Sequence, residues 1–295
     1  MEMISTGSRA LDALLLGGVR RGLLYSIFGA SGSGKTQLCI QLALNSARTN
    51  DRARVMIIDA KGDFRPERML EMVKATIDEG DNYSNTCTGS NRGDGGESRD
   101  GAVVYDPDDV TLSTIMDRVY VKRVYNTDDV FNSLMDVDNM YNRYGLCLLV
   151  VEDSPSLFRL EYGSKSVEGH FRLMRLMHDL ALRAVLRNTA IIVTNGVTSS
   201  IRYEHNYYAT ARVGAPGSET EGGREERQIM DRSVSMFTHF KVRLERLSLS
   251  KNACIGVGKE KKDGLEKVFK ATLLQPVSRD NIAHFSIVKR GIVDI

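Results

Sequence analysis

The chain has 295 residues, 26% of them charged and 42% hydrophobic, with a net charge of +2. This composition can bury a core, leaves any nucleic-acid contact to a local basic surface, and offers no apolar run near the roughly 18 residues that span a membrane. Cys39, Cys87, Cys147 and Cys254 are scattered, with no Cys-x-x-Cys, and the histidines do not cluster with them. The reading is of reduced thiols in a cytoplasmic protein, with no transition-metal site and no N-terminal signal pattern.

In chain order, Leu11, Leu14 and Leu15 give a short helical face that Gly17-Gly18 stops. Residues 23–28 read as a short buried strand. Gly29-Ala30-Ser31-Gly32-Ser33-Gly34-Lys35-Thr36 then matches G-x-x-x-x-G-K-[ST] without a mismatch. In such a loop the glycines let backbone N–H groups turn inward, and the helix N-terminus behind them favours an anion. The loop is therefore expected to bind a nucleoside triphosphate, with Lys35 on the β- and γ-phosphates and Thr36 holding Mg²⁺. Leu38, Cys39, Leu42 and Ala43 share one face of the helix expected next. Residues 55–59 form a second buried strand, and Pro66 suits the first turn of a helix carrying Met69, Leu70, Val73 and Ile77.

Residues 79–109 are rich in Gly, Ser, Asn and Asp. They cannot bury enough apolar surface to order themselves and are read as a disordered surface insertion. Order resumes with a strand over 118–124 and a helix capped near Asn126. The most apolar run, 146–151, predicts a central parallel strand covered on both faces. Glu152 and Asp153, at its carboxyl end, are the candidates to hold Mg²⁺ through water. Adjacent strand residues point to opposite faces, so only one of the two is expected to face the metal. A helix over 167–187 should bury Phe171, Met174, Met177, Ala181 and Ala184. Another buried strand covers 190–194. The long polar loop at 197–227 interleaves Arg202 and Arg212 with Tyr203, Tyr207 and Tyr208, the chemistry of base stacking plus phosphate contact. From 236 the chain alternates as strands, with Thr238, Phe240, Val242 and Leu244 on one face.

Thr6-Gly7-x-x-x-Leu11-Asp12-x-Leu14-Leu15-x-Gly17-Gly18, then Gly22 and the phosphate loop, resembles the start of the core of the RecA/RadA-type recombinases. The resemblance implies one RecA-like P-loop NTPase core over 1–295: an α/β fold with a mainly parallel sheet, helices on both faces and an antiparallel C-terminal extension. Because the chain begins at that core, it resembles the short archaeal paralogue RadB more than the recombinase itself. Where the family has Asp-Thr-Glu-Gly and then Phe-x-Pro-Glu-Arg, this chain has Asp59-Ala60-Lys61-Gly62 and then Phe64-Arg65-Pro66-Glu67-Arg68. Lys61 thus replaces the glutamate that activates the attacking water. Gly196, after Asn195, replaces the glutamine that senses the γ-phosphate. Ungapped matching through Leu157 to Tyr162 gives the family's metal aspartate to Glu152, while Asp153-Ser154 keeps the usual Asp-Ser dipeptide.

Phe158-Arg159-Leu160-Glu161-Tyr162 resembles the first DNA-binding loop of the family, which makes Arg159, Lys165 and Arg172 candidates for phosphate contact. Residues 197–227 stand where the family has its second loop. The resemblance implies a protein that binds ATP and Mg²⁺, binds single-stranded DNA, and assists a RadA-type recombinase in homologous recombination and repair. Hydrolysis is expected to be slow or absent. The alternatives are an active DNA-dependent ATPase using Asp63 or Asp153 as base, and a KaiC-like signalling ATPase with no DNA role.

Overall fold

The computed structural model describes residues 3–49, 54–84, 113–201, 224–247, 267–277 and 280–295. The N-terminal segment pairs strands β1 (Met3–Ile4) and β2 (Val19–Arg20) around helix α1 (Arg9–Leu14). Ser8 caps α1 by accepting from the Leu11 N–H, a bond of the kind worth about 1 kcal/mol. The phosphate-loop strand is β3 (Leu24–Phe28), and its helix is α2 (Lys35–Thr49). There follow β4 (Val55–Asp59), α3 (Pro66–Ser84), β5 (Val119–Arg123), α4 (Thr127–Tyr144), β6 (Leu148–Glu152), α5 (Ser154–Tyr162), α6 (Val167–Arg187) and β7 (Ala190–Asn195). The chain then forms β8 (Val197–Ile201), β9 (Arg224–Gln228), α7 (Asp231–Ser235), β10 (Phe240–Arg246), β11 (Val268–Gln275), β12 (Ile282–Val288) and β13 (Gly291–Asp294).

Nine of these strands form one sheet in the order β13-β12-β11-β10-β3-β7-β6-β4-β5. From β10 to β5 every neighbour is parallel, and from β10 to β13 every neighbour is antiparallel. Alternation in the central strands sends residues to two cores. Tyr25, Ile27, Ile57, Val150 and Ile192 pack with Leu38, Leu42 and Met69 on the α2–α3 side. Leu24, Ile58, Val151 and Val193 pack with Leu134, Leu173, Leu176 and Leu180 on the α4–α6 side. Strands β3, β4, β6 and β7 are buried at every residue, as strands covered on both faces must be. This is the RecA-like α/β architecture, with a mainly parallel sheet and antiparallel strands at its C-terminal end.

Four local expectations change. Helix α3 continues through 79–84, so the first residues of the stretch read as a disordered insertion are helical. The apolar period that begins at Met69 propagates the helix past the point where composition turns polar, because extension costs far less than nucleation. Residues 85–112 lie outside the described residues. Helix α6 has the expected bounds but a rotated face: Leu173, Leu176, Met177, Leu180 and Ala184 are buried, whereas Phe171 is 71% exposed. The leucines complete the 3-4 spacing that reaches the sheet, and Phe171 falls off that stripe. The stretch 197–227 is not a bare loop, because β8 and β9 pair as an antiparallel hairpin at its base. Its residues 202–223, with Arg202, Arg212 and the three tyrosines, lie outside the described residues, as do Cys87 and Cys254. The fourth change, at Glu152 and Asp153, belongs to the site.

Candidate nucleotide site

The carboxyl ends of β3, β4, β6 and β7 finish at one level, with Asp59 opposite Glu152 and Phe28 opposite Asn195. Open parallel sheets bind ligands there. A cavity of about 910 Å³ opens at this edge. It gathers Gly29, Ala30, Ser31, Gly32, Gly34, Lys35 and Thr36 with Lys61, Glu152, Asp153 and Gly196. Ser33, the remaining residue of the predicted loop, is buried beneath it.

Two glycines in the loop have a steric reason to be there. A Cβ on Gly29 would lie 2.1 Å from the Leu244 carbonyl oxygen, because β10 passes against the loop. Gly34 has φ +93°, a left-handed conformation that a side chain would strain. The Lys35 ammonium bends over the turn and donates to the carbonyls of Gly29 at 2.8 Å and Ala30 at 2.9 Å. Its burial pushes its pKa down.

Thr36 Oγ1 donates to Glu152 Oε1. Glu152 is 3% exposed, and its Oε2 has no hydrogen-bond partner among the described residues. Burial pushes its pKa up to about 7, against the opposing bond from Thr36. An orphaned buried carboxylate oxygen beside a threonine hydroxyl fits a hard cation that takes oxygen ligands.

Asp153 takes a left-handed backbone, φ 53°, past the end of β6. Its N–H donates to Thr194 Oγ1 at 3.0 Å, and its Oδ1 accepts from Ser156 Oγ at 2.8 Å. Alternation along a strand would send Glu152 and Asp153 to opposite faces. Both line the cavity, because the left-handed residue breaks the strand's alternation.

The turn after β4 is held by one carboxylate. Asp59 Oδ1 accepts from the N–H groups of Lys61 at 3.0 Å and Gly62 at 2.6 Å, and Oδ2 accepts from Phe64 N–H at 3.4 Å. The Arg123 guanidinium pairs with the same carboxylate at 3.2 Å. Gly62 has φ +80°, and a Cβ there would meet Arg123 at 2.2 Å. These bonds hold the backbone of residue 61 and leave its side chain free to vary. The Lys61 ammonium pairs with the Asp63 carboxylate at the cavity wall, and that bond is the main reason its pKa is raised. At 196 a Cβ would lie 3.0 Å from Ile229 Cδ1 and 3.9 Å from Asp153 Oδ1, so the missing side chain leaves space beside Asp153.

The first-loop residues sit on α5, on the turn after it that carries Lys165, and on α6, outside the cavity lining. Glu161 caps α4, accepting from Thr127 N–H at 2.8 Å and Thr127 Oγ1 at 2.6 Å. Arg172 donates to the Tyr162 hydroxyl and to Asp128, and its guanidinium lies 5.6 Å from the Phe131 ring centroid. Its charge is thus paired within the fold, to an Asp128 that is itself largely exposed. Arg159 is half-buried and Lys165 exposed.

Sequence reasoning missed the opposite wall of the cavity. Arg68, visible only as the end of a motif, donates to Gln37 Oε1 and to the carbonyls of Val288 and Lys289, tying α2 and α3 to the β12–β13 turn. Arg246, Lys267, Phe269 and Ile287 also line the cavity. No local pattern could have placed them there, because strand pairing brings them in from far along the chain.

The strand–loop–helix unit at the carboxyl edge of this mixed sheet puts the chain among the RecA-like P-loop proteins. The family model for Rad51 matches residues 1–88 and 104–217. The chain belongs to the Rad51 family. A DNA repair and recombination protein RadA of Ignicoccus hospitalis is 30% identical over 208 residues, which cover 67% of this chain and 54% of that protein. The chain thus matches about half the length of that relative.

Proposed function

We propose that the chain is an ATP-binding protein of homologous recombination and DNA repair. In this reading it is a RadB-like accessory that binds DNA and assists a RadA-type recombinase in the cytoplasm, with slow or absent ATP hydrolysis. The observation that carries it is Lys61: the Asp59 clamp holds its backbone, and it lines the cavity at the position where the resemblance expects a glutamate base. A charged ammonium takes no proton from water, and loss of a positioned base removes about 10² to 10⁴ in rate.

The glycine loop and Lys35 would hold the phosphates of ATP, and Thr36 with Glu152 or Asp153 would hold Mg²⁺. Magnesium neutralises phosphate charge when bound. Lys61 adds a positive charge at the same wall, which favours retention of the triphosphate over its turnover. Arg159 and Lys165 remain as phosphate contacts for single-stranded DNA, together with Arg202 and Arg212.

The test is ATP binding and hydrolysis on one sample, with and without single-stranded DNA, beside Lys61→Glu. The expected result is binding with negligible turnover, partly restored by Lys61→Glu. Brisk DNA-stimulated turnover in the unaltered chain would overturn the reading. That outcome would favour an active ATPase, for which Asp63 and Asp153, both in the cavity lining, are the candidate bases. A KaiC-like role without DNA predicts no retention on a DNA column at any salt concentration, whereas phosphate contacts predict salt-dependent retention.

A further inference from the structure

Strand β10 runs three residues past Arg243, which pairs with Phe28 at the end of the phosphate-loop strand. The antiparallel strands therefore stand up beside the loop as a wall. Cross-strand partners share a face, and so do residues two apart. Arg246 pairs with Phe269, and Phe269 pairs with Phe285. By this parity Arg246, two after buried Leu244, and Lys267, two before buried Phe269, lie on the core-facing side. Such positions call for apolar residues when they cover a core. Here the face leaves the core and meets the phosphate loop: Ile287 Cδ1 and Phe269 Cδ1 lie 3.0 and 3.6 Å from where a Cβ on Gly34 would sit. Lys289, just past β12, lines the same cavity. The ammonium and guanidinium groups of Arg246, Lys267 and Lys289 have no acidic partner among the described residues.

One cavity thus carries anion-binding groups on two walls. The glycine loop and Lys35 form one, and the three cations form the other, with Phe269, Ile287 and Val288 as an apolar strip among them. Its volume of about 910 Å³ is near the top of the roughly 300–1,000 Å³ range of small-molecule sites. We propose that the strand wall is a second anion site, and that the cavity takes a nucleoside carrying phosphate at both ends, a 5′-polyphosphate on the glycine loop and a further phosphate on Arg246, Lys267 and Lys289. This rests on the reading of the cavity as a nucleotide site and adds the ligand class.

The experiment compares ATP with adenosine 5′-triphosphate 3′-diphosphate by calorimetry, on the unaltered chain and on Arg246→Ala/Lys267→Ala. Both altered side chains are exposed, so the variant should fold, and a matching thermal melt checks this. The doubly phosphorylated nucleotide should bind about tenfold more tightly than ATP, the equivalent of one charge-assisted hydrogen bond. The double variant should lose that advantage, so that its affinities for the two nucleotides come within about threefold of each other. Equal affinity for the two nucleotides on the unaltered chain overturns this inference alone. No binding of either overturns it together with the nucleotide reading. Retention of the advantage in the double variant places the second phosphate elsewhere and overturns the assignment to this wall.

Discussion

The loop after β3 and the turn after β4 face each other across one cavity and are built in opposite ways. In the phosphate loop, the residues from Gly29 to Thr36 agree with the motif, and the Lys35 ammonium bends back over the turn. In the turn, the backbone is held by a buried carboxylate and a left-handed glycine, while the side chain at the chemical position is a lysine paired to Asp63. Geometry at Gly29 and Gly34 is enforced by sterics, because a side chain there would crowd the Leu244 carbonyl or Ile287. Chemistry carried by one exposed side chain is not protected in this way. On the proposed reading, holding a triphosphate and spending it would therefore rest on different loops.

Breaking the first loop should have the largest effect. Gly29→Ala forces a methyl to within 2.1 Å of the Leu244 carbonyl, which is backbone and cannot swing away. Overpacking of this kind costs about 1–3 kcal/mol. The displaced turn should lower ATP affinity by on the order of 100-fold, about 2.7 kcal/mol. Calorimetry and thermal melts check both, and unchanged affinity would mean that the loop does not cradle phosphate. Asp59→Ala should come next. It frees three N–H groups and strands Arg123 beside an apolar gap, for a stability loss of about 2–3 kcal/mol. That is below the 3–5 kcal/mol of a fully buried pair because Arg123 is partly exposed. Lys61→Glu, two residues away, should leave stability within about 0.5 kcal/mol, because the clamp holds its N–H and not its side chain. Equal destabilisation by the two variants in urea unfolding would show that the turn is not organised by Asp59.

The contrast also explains what could be read from the chain alone. The P-loop and the positions of the central strands along the chain were legible because local spacing and apolar runs encode them. Lys61 and Gly196 were legible as departures once a pattern was laid over them. The presence of both Glu152 and Asp153 in the cavity lining was not, because period-2 alternation has no term for a left-handed residue at a strand end. Phe171 was misjudged because two neighbouring stripes of this helix share the helical spacing, and the one with Leu173, Leu176 and Leu180 meets the sheet. The work of Glu161 and Arg172 within the fold was hidden for a different reason. Their partners, Thr127 and Asp128, lie more than thirty residues upstream, and only packing brings them together.

A third region, remote from the cavity, supplies the smallest expected effect on the site. The Asp294 carboxylate accepts from Ser8 Oγ at 2.5 Å and from the N–H groups of Arg9 and Ala10, closing the last strand onto the cap of α1. These bonds, led by that of Ser8, hold its pKa down at about 2. An acid whose folded pKa lies below the ordinary value near 3.9 stabilises the fold fully above that value, and the contribution fades as pH falls toward the folded pKa. Asp294→Asn should therefore melt below the unaltered chain at pH 7, and the gap should narrow progressively between pH 4 and pH 2. ATP affinity at pH 7 should not change, because the clasp touches no residue of the cavity. A gap that is independent of pH would assign the effect to lost hydrogen bonds alone. A loss of ATP affinity would show that the terminal clasp and the phosphate loop are coupled, and that the separation drawn between the two loops does not extend to the rest of the sheet.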